Sequence, residues 1–167
     1  MDTHSDGHFI CLGYEKGMFE IFRLTKGLND FYSMESIKIF DLSRKYGINH
    51  VSFSKSGRHL VISCFKDIVV FNSSTEEFDQ EGLLKGNKSE VIALEFDEKS
   101  EFVLSNADDG QVLAWEMKPG FKQVPPGDLK NKKFFNQSHL LSWDVQAAWQ
   151  TEIVNSLFIN QIKLSSD

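Results

Sequence analysis

The sequence GNKSEVIALEFDEKSEFVLSNADDGQVLAW, residues 86–115, is the most informative stretch of the chain. It holds three alternating apolar runs, and Asp109-Gly110 separates the last two. Alternation with a period of two is typical of β-strands, and Asp-Gly between two such runs favours a hairpin because glycine adopts the positive φ of a tight turn. The stretch therefore predicts three short antiparallel strands, over residues 91–96, 102–105 and 112–115.

The first run indicates which side of the predicted sheet is buried. Ile92, Leu94 and Phe96 fall on one face of the extended chain, whereas the opposite face contains Glu95. Because the first face is apolar throughout, we expect it to pack against a neighbouring sheet.

The same order of strand and turn signals occurs earlier in the chain. Phe53 and Phe96 stand at equivalent positions 43 residues apart, and Phe71 and Trp115 stand 44 residues apart. A repeat of roughly 40–45 residues is the length of one β-propeller blade. We therefore expect further strands at residues 8–12, 19–22, 37–42, 48–53, 59–64 and 68–71.

The repeated unit resembles the WD40 repeat, a four-stranded blade of a β-propeller. Ser105, Asp109 and Trp115 match the family's serine, aspartate and tryptophan, and Asn87 stands where the family has a histidine. The resemblance implies that these four residues form a hydrogen-bonded structural tetrad inside the blade, with asparagine replacing its histidine. It implies an all-β fold, a partial propeller of about three to four blades of four-stranded antiparallel sheet.

The repeats divide a single partial propeller, residues 1–167, into successive blades. The first is expected to lack its inner strand, and the last is incomplete. In the last blade, residues 141–164 read either as strands, which we favour for their β-branched and aromatic residues, or as an amphipathic helix. The predicted blades are 6–47, 48–86, 87–138 with a long Pro/Gly loop over 118–138, and 139–167.

Four incomplete blades leave the predicted ring open. A seven-bladed ring needs nearly twice this length, and unpaired blade faces recruit a partner or aggregate. Three explanations of the open ring remain. We favour the first, that the sequence is a part of a longer protein; the others are a half-propeller completed by a partner or by its own copy, and a compact variant ring.

Composition restricts the class of partner. The net charge of −6 and the pI near 5.4 argue against direct binding of nucleic acid. The sequence contains neither an apolar run of membrane-spanning length nor a secretory leader, so we expect no membrane association and an intracellular location, with the nucleus favoured over the cytoplasm.

No motif in the chain predicts catalysis. His4 and His8 have a helical metal-ligand spacing, but Asp6-Gly7 between them favours a turn, so we predict no metal site. No nucleophile elbow, phosphate loop, dinucleotide fingerprint or CxxC is present, so we predict no catalytic residue, no cofactor and no small-molecule substrate. The two cysteines, Cys11 and Cys64, read as buried core residues.

These observations predict a non-catalytic scaffold that binds protein partners, such as other complex subunits or the missing blades. The order of the hairpin at Lys16-Gly17, of SFSKSGRHLVISC and of ADDGQVLAW is similar to the C-terminal half of the small WD-repeat subunit of the COMPASS histone methyltransferase complex, which also occurs in mRNA 3′-end processing. A nuclear-pore or coat-complex propeller subunit is an alternative. A hydrolytic enzyme is a second alternative, and it would need His50, His59, Asp67 and Asp109 to converge at a ring centre.

Overall fold

The computed structural model describes residues 1–27, 31–129 and 132–134, which form three four-stranded antiparallel sheets. The predicted all-β class and the four-stranded units are confirmed. The predicted strands within 141–164 lie outside the described residues.

The first sheet contains β1 (Asp2–Thr3), β2 (Phe9–Gly13), β3 (Met18–Lys26) and β4 (Tyr32–Asp41). The second contains β5 (Ile48–Phe53), β6 (His59–Cys64), β7 (Asp67–Asn72) and β8 (Gln80–Leu84). The third contains β9 (Val91–Phe96), β10 (Phe102–Ala107), β11 (Val112–Glu116) and β12 (Gln123–Val124).

The first sheet has an inner strand, so the expectation that it lacks one is wrong. In β1, Asp2 pairs with Cys11 and Thr3 pairs with Ile10 of β2. A strand of two residues is too short to show an alternating pattern. Its position is fixed by the neighbouring sheet instead, because the Asp2 carboxylate accepts the backbone N–H of Phe53 at 2.7 Å.

The third sheet acquires its outer strand from the predicted Pro/Gly loop. β12 pairs with β11 through Trp115 and Gln123, and a 3₁₀ helix, Pro126–Leu129, follows. Phe134 then forms a bridge with Asp97 at the inner end of the sheet. The chain after β11 therefore folds back across the third sheet, although its sequence has the composition of a loop.

One buried face differs from its prediction. Ile92 is 52% exposed, whereas Leu94 and Phe96 on the same predicted face are buried. The register of β9 shifts where Val91 and Ala93 pair with consecutive residues of β10, which is a β-bulge. The bulge lies at the start of β9, and beyond it Leu94, Glu95 and Phe96 are all buried, so both faces of the strand are covered there.

The three sheets stack face to face around apolar layers. The first layer joins the first and second sheets, the second joins the second and third, and the last covers the far face of the third sheet. Burial of each large apolar side chain contributes about 1.5–3 kcal/mol. The first layer includes Cys11, Phe19, Ile21, Val51, Leu60, Ile62, Val69 and Phe71; the second includes Val61, Val70, Leu94, Val103 and Trp115; the last includes Leu104, Val112, Ala114, Leu129 and Phe134.

A repeated backbone hydrogen bond joins successive sheets. Ile48 N–H, at the start of β5, donates to Tyr14 O at 2.9 Å, and Val91 N–H, at the start of β9, donates to Phe65 O at 2.8 Å. Tyr14 and Phe65 each follow the second strand of the preceding sheet. Inner strands are thus connected to the preceding sheet in the same way at both joints, which places β5 between β1 and β9.

Candidate functional site

The predicted tetrad is assembled in part. Ser105 on β10 is fully buried, and its Oγ donates a 2.9 Å hydrogen bond to Asn87 Oδ1 in the segment before β9. The structure therefore brings Asn87 and Ser105 together, and their hydrogen bond connects the chain entering the inner strand to the middle of the sheet.

The other two tetrad residues have different neighbours. The Asp109 carboxylate accepts the backbone N–H of Gln111 at 3.0 Å in the turn before β11. Asn87 Nδ2 is buried and has no hydrogen-bond partner within the described part of the chain. Trp115 is buried in the layer between the second and third sheets. The Asn87–Ser105 hydrogen bond and the buried Trp115 ring therefore stabilise the blade, whereas Asp109 lies in an exposed turn.

A cleft of about 430 Å³ opens where the inner strands of all three sheets end. Each sheet contributes the last residues of its inner strand and the first residues of the following turn. The cleft has no signature in the sequence pattern, because its residues come from three separate repeats. Its lining residues are Asp2, Thr3, His4, Ser5, Ser52, Phe53, Ser54, Lys55, Glu95, Phe96 and Asp97.

The cleft lining carries more acidic than basic groups. Asp2, Glu95 and Asp97 contribute three carboxyl groups, and Lys55 contributes one ammonium group. Asp97 Oδ1 accepts the backbone N–H groups of Glu101 and Phe102, each at 2.7 Å, so this carboxylate is held in place. The excess of carboxyl groups over the one ammonium group in this lining favours a cation.

The turns around the cleft share a repeated hydrogen bond. Ser54 Oγ accepts the backbone N–H of His59 at 2.9 Å, and Asp97 Oδ1 accepts that of Phe102 at 2.7 Å. Ser54 and Asp97 lie 43 residues apart, as do His59 and Phe102. A serine or aspartate directly after the inner strands of the second and third sheets is therefore the sequence signal that indicates these two turns.

His4 joins two of these turns. Its Nε2 donates to the carbonyl of Gly57 at 2.8 Å, and its Nδ1 lies 2.7 Å from Asp6 Oδ1. The chain between His4 and His8 forms a turn, in which Gly7 N–H donates to His4 O. Among the described residues, no group of three or more His, Cys, Asp or Glu could hold a metal ion.

The four residues that an enzyme would need have separate surroundings. His59 Nε2 lies 3.4 Å from Glu81 Oε2, Asp67 Oδ2 lies 3.3 Å from Arg44, and Asp109 caps its own turn. His50 pairs with Ser63 near one end of β6, whereas His59 begins β6 at the other end. The four side chains thus do not form one constellation.

A smaller cleft of about 240 Å³ lies between the second and third sheets beside His59. Burial lowers the pKa of His59, although the carboxylate of Glu81 acts in the opposite direction. His59 Nδ1 is buried without a hydrogen-bond partner among the described residues, and the ring of Phe121 stands edge-on to the imidazole. This cleft therefore contains a neutral imidazole at neutral pH.

The fold is that of known propellers. The sequence matches no protein-family model. The WD40 repeats of RRP9 superpose with a TM-score of 0.63 at 13% identity, over 74% of this chain and 36% of that one. Sqt1 of Chaetomium thermophilum, bound to the N-terminus of ribosomal protein L10, superposes with a TM-score of 0.61 at 21% identity, over 74% of this chain and 32% of that one.

These similarities show the fold: three four-stranded sheets arranged as blades of a WD40-type propeller. The chain spans about a third of the length of both solved structures. The narrower likeness to the COMPASS subunit is not tested by them and stays a prediction. In the part of the chain that the structure describes, no helix has the length and apolar character needed to cross a bilayer.

Proposed function

We propose that this protein is a non-catalytic interaction scaffold, and that the cleft at the inner strand ends binds a basic side chain of a protein partner. The observation that carries the proposal is the excess of acid in the cleft lining, where Asp2, Glu95 and Asp97 stand against Lys55. Glu95 and Asp97 are each 2% exposed, so their charge acts from the walls of the cleft. Lys and Arg side chains are the peptide groups with complementary charge.

The shape of the cleft supports an extended peptide as the ligand. Two of its walls are short turns in which Ser54 Oγ and Asp97 Oδ1 accept backbone N–H groups. Rigid short turns present side chains to peptides with little ordering cost. Phe53 and Phe96 are mostly buried and form an apolar surface in the cleft. The methylene stem of a Lys or Arg can pack against it. Sqt1, a protein of this fold, is bound to the N-terminus of a ribosomal protein, which supports a peptide segment as the ligand here.

The proposal also concerns which multiprotein complex contains the scaffold. The order of blade motifs supports a nuclear assembly of the histone methyltransferase or mRNA 3′-end processing class. A nuclear-pore or coat-complex subunit is the second candidate, supported by the open face of the first sheet. Purification of the tagged protein from its native cells separates these classes by the identity of the subunits that copurify, whereas a lone monomer with hydrolytic activity would contradict the scaffold.

The cleft itself is tested with fluorescent peptides that carry a single central Arg or Glu in an otherwise identical sequence. We expect the Arg peptide to bind the intact protein at least about tenfold more tightly, a difference of about 1.4 kcal/mol. Glu95→Gln should reduce that preference, because it removes one of three carboxyl groups from the cleft lining without changing side-chain shape.

The matched control is Glu98→Gln, which removes the same charge from an exposed residue outside the cleft lining. It should leave the preference unchanged. Equal binding of the two peptides, or equal losses in Glu95→Gln and Glu98→Gln, would show that the cleft does not select a cation. Circular dichroism of both variants reports whether either change alters the fold.

A further inference from the structure

The smaller cleft, between the second and third sheets, brings hydrogen-bond donors and acceptors to one opening. Its walls come from the residues at the start of β6, from β8 and from the turn after β11. Its volume of about 240 Å³ lies below the range of about 300–1,000 Å³ typical of sites for drug-sized ligands, so it suits one small polar group. The lining residues are Arg58, His59, Glu81, Pro119, Gly120 and Phe121.

The imidazole of His59 has unused hydrogen-bonding capacity, although the residue is only 3% exposed. Its Nδ1 has no partner in the described part of the chain. Its Nε2 lies 3.4 Å from Glu81 Oε2, which is longer than the usual N–H···O distance of about 2.7–3.2 Å. A buried polar atom without a partner is destabilising, so a group that supplies the missing hydrogen bond is bound favourably.

Glu81 determines which nitrogen of this imidazole is the acceptor. Its Oε1 accepts a 3.1 Å hydrogen bond from the side-chain amide of Asn72, which orients the carboxylate, and its Oε2 faces His59 Nε2. Because a carboxylate only accepts hydrogen bonds, the proton of a neutral imidazole belongs on Nε2, and Nδ1 then carries the lone pair. The cleft therefore contributes two acceptors, His59 Nδ1 and the remaining lone pairs of Glu81.

Arg58 contributes a donor at the same opening. Ser73 N–H donates to Arg58 O at 2.8 Å, so the backbone that carries the guanidinium is held against the end of β7. The side chain is exposed and forms no ion pair with another described residue. Its charge is opposite to that of Glu81, so the opening has no excess of either sign, unlike the larger cleft, where acid is in excess.

A primary carboxamide matches these three groups. It has two N–H donors and a carbonyl acceptor. The two N–H groups pair with His59 Nδ1 and Glu81, and the carbonyl oxygen accepts from Arg58. A hydroxyl or a backbone amide has one donor, a carboxylate has none and an ammonium has no acceptor, so each of these leaves a cleft group unpaired.

The remaining wall suits the methylene stem of such a side chain. Pro119 and Phe121 contribute carbon surface to the lining, and the Phe121 ring stands edge-on to the imidazole with 6.3 Å between ring centroids. A Cβ atom on Gly120 would meet no atom within 4 Å, so there is open space at this turn.

We propose that the smaller cleft binds the primary carboxamide of a Gln or Asn side chain of a protein partner. The hydrogen bonds to His59, Glu81 and Arg58 select the carboxamide over a carboxylate of the same shape. The inference goes beyond the proposed function and does not depend on the larger cleft, since the two described linings share no residue.

The first experiment compares propionamide, which is the end of a Gln side chain, with propionate, which has nearly the same shape and no N–H donor. Each is added to the full chain while nitrogen NMR follows the imidazole of His59, with His59→Gln used to assign its signals. We expect the free protein to show the Nε2–H tautomer and propionamide to shift the Nδ1 signal until it saturates. Propionate at equal concentration should leave the signal unchanged. No response to propionamide, or an equal response to propionate, overturns the proposal.

The second experiment tests whether a peptide is the source of the carboxamide. Fluorescent peptides carry a central Gln or Glu in an otherwise identical Gly-Ser sequence. We expect the Gln peptide to bind at least about fivefold more tightly than the Glu peptide, and propionamide to displace it. If free propionamide binds as tightly as the Gln peptide, the cleft takes a small free amide, and the assignment to a protein partner is wrong.

Two matched variants assign the preference to this cleft. Glu81→Gln replaces an acceptor with a group of the same shape and should reduce the preference for Gln to within about twofold. Glu98→Gln, at an exposed residue outside the lining, should leave the preference unchanged, and equal losses in the two variants would overturn the assignment. Glu95→Gln alters only the larger cleft and should also preserve it, so failure of either cleft is distinguished from failure of the other. Circular dichroism reports whether each variant is folded.

Discussion

Ser105 Oγ donates a hydrogen bond to Asn87 Oδ1 at 2.9 Å in the buried interior of the third sheet. Asn87 Nδ2 is buried without a partner in the described part of the chain, so the hydrogen bond with Ser105 is the polar interaction that this side chain retains. The pair holds the segment before β9 against β10.

We expect Ser105→Ala to lower the free energy of unfolding by about 1–3 kcal/mol, because it leaves both ends of the Asn87 amide unpaired in the interior. Urea unfolding monitored by tryptophan fluorescence measures the change. Ser89→Ala is the matched control, since the Ser89 hydroxyl bonds Asp108 at the exposed surface and its loss should change stability by less than about 0.5 kcal/mol. Equal effects of the two substitutions would contradict a buried role for Ser105.

Sequence periodicity predicted the first three strands of the second and third sheets, but not the outer strand β8, whose sequence QEGLL does not alternate. It did not predict β1 or β12, because two residues contain no alternation. It also assigned Ile92 to the buried face, since a β-bulge depends on how β9 meets β10 and not on the order of apolar residues alone. Local pattern therefore determines the central strands, and packing between sheets determines the edges.

The candidate site was less predictable than the fold. Asp97 reads as part of a charged turn in the sequence, yet it is 2% exposed and its carboxylate accepts two backbone N–H groups. Asp2 reads as a terminal residue, yet it joins the first sheet to Phe53 of the second. Both roles arise when separate repeats are brought together around the inner strands, which no single repeat encodes.

Trp115→Ala should lower the free energy of unfolding by about 3–5 kcal/mol, because it empties the volume of a side chain that is 1% exposed. Ile92→Ala is the control from the same sheet, and its half-exposed side chain should contribute less than about 1 kcal/mol. Differential scanning calorimetry compares the two variants. A thermal midpoint that hardly moves in Trp115→Ala would show that Trp115 is not part of the core.

Gly82 allows close contact between the second and third sheets. A Cβ atom on Gly82 would lie 2.5 Å from Cδ2 of Phe121, so Gly82→Ala forces the ring to move and should cost about 1–3 kcal/mol. Gly127→Ala is the control, because its Cβ would meet no atom within 4 Å.

The contact is assigned by a double-variant cycle in urea unfolding. Once Phe121→Ala has removed the ring, adding Gly82→Ala should cost at least about 1 kcal/mol less than it does in the intact protein. Additive effects would show that the strain at Gly82 lies elsewhere.

Both cysteines should be unreactive in the folded protein. Burial raises the pKa of Cys11 to about 12 and also raises that of Cys64, whose Sγ lies 3.1 Å from the carbonyl oxygen of Tyr46. Because the thiolate is the nucleophile, we expect Ellman's reagent at pH 8 to modify neither residue in native buffer and both in denaturant. Cys11→Ser should leave one reactive thiol in denaturant. Rapid modification of the native protein would contradict the burial of these strands.

Stability should fall as the solution is acidified through the ordinary pKa of histidine. Burial lowers the pKa of His59 and of His50 below the model-peptide value of 6.5 in the folded chain. The unfolded chain therefore binds more protons just below pH 6.5, and the linkage relation makes the free energy of unfolding decrease as pH falls from 6.5 toward the folded pKa values.

Urea unfolding at a series of pH values between about 7 and 5 measures this slope. His59→Gln should reduce it, because glutamine keeps a polar side chain but takes up no proton. Glu81→Gln should increase the slope. The Glu81 carboxylate raises the pKa of His59, so its removal enlarges the difference in that pKa between the folded and unfolded chains. An unchanged slope in His59→Gln, or a shallower one in Glu81→Gln, would show that His59 is not buried as a neutral imidazole beside Phe121.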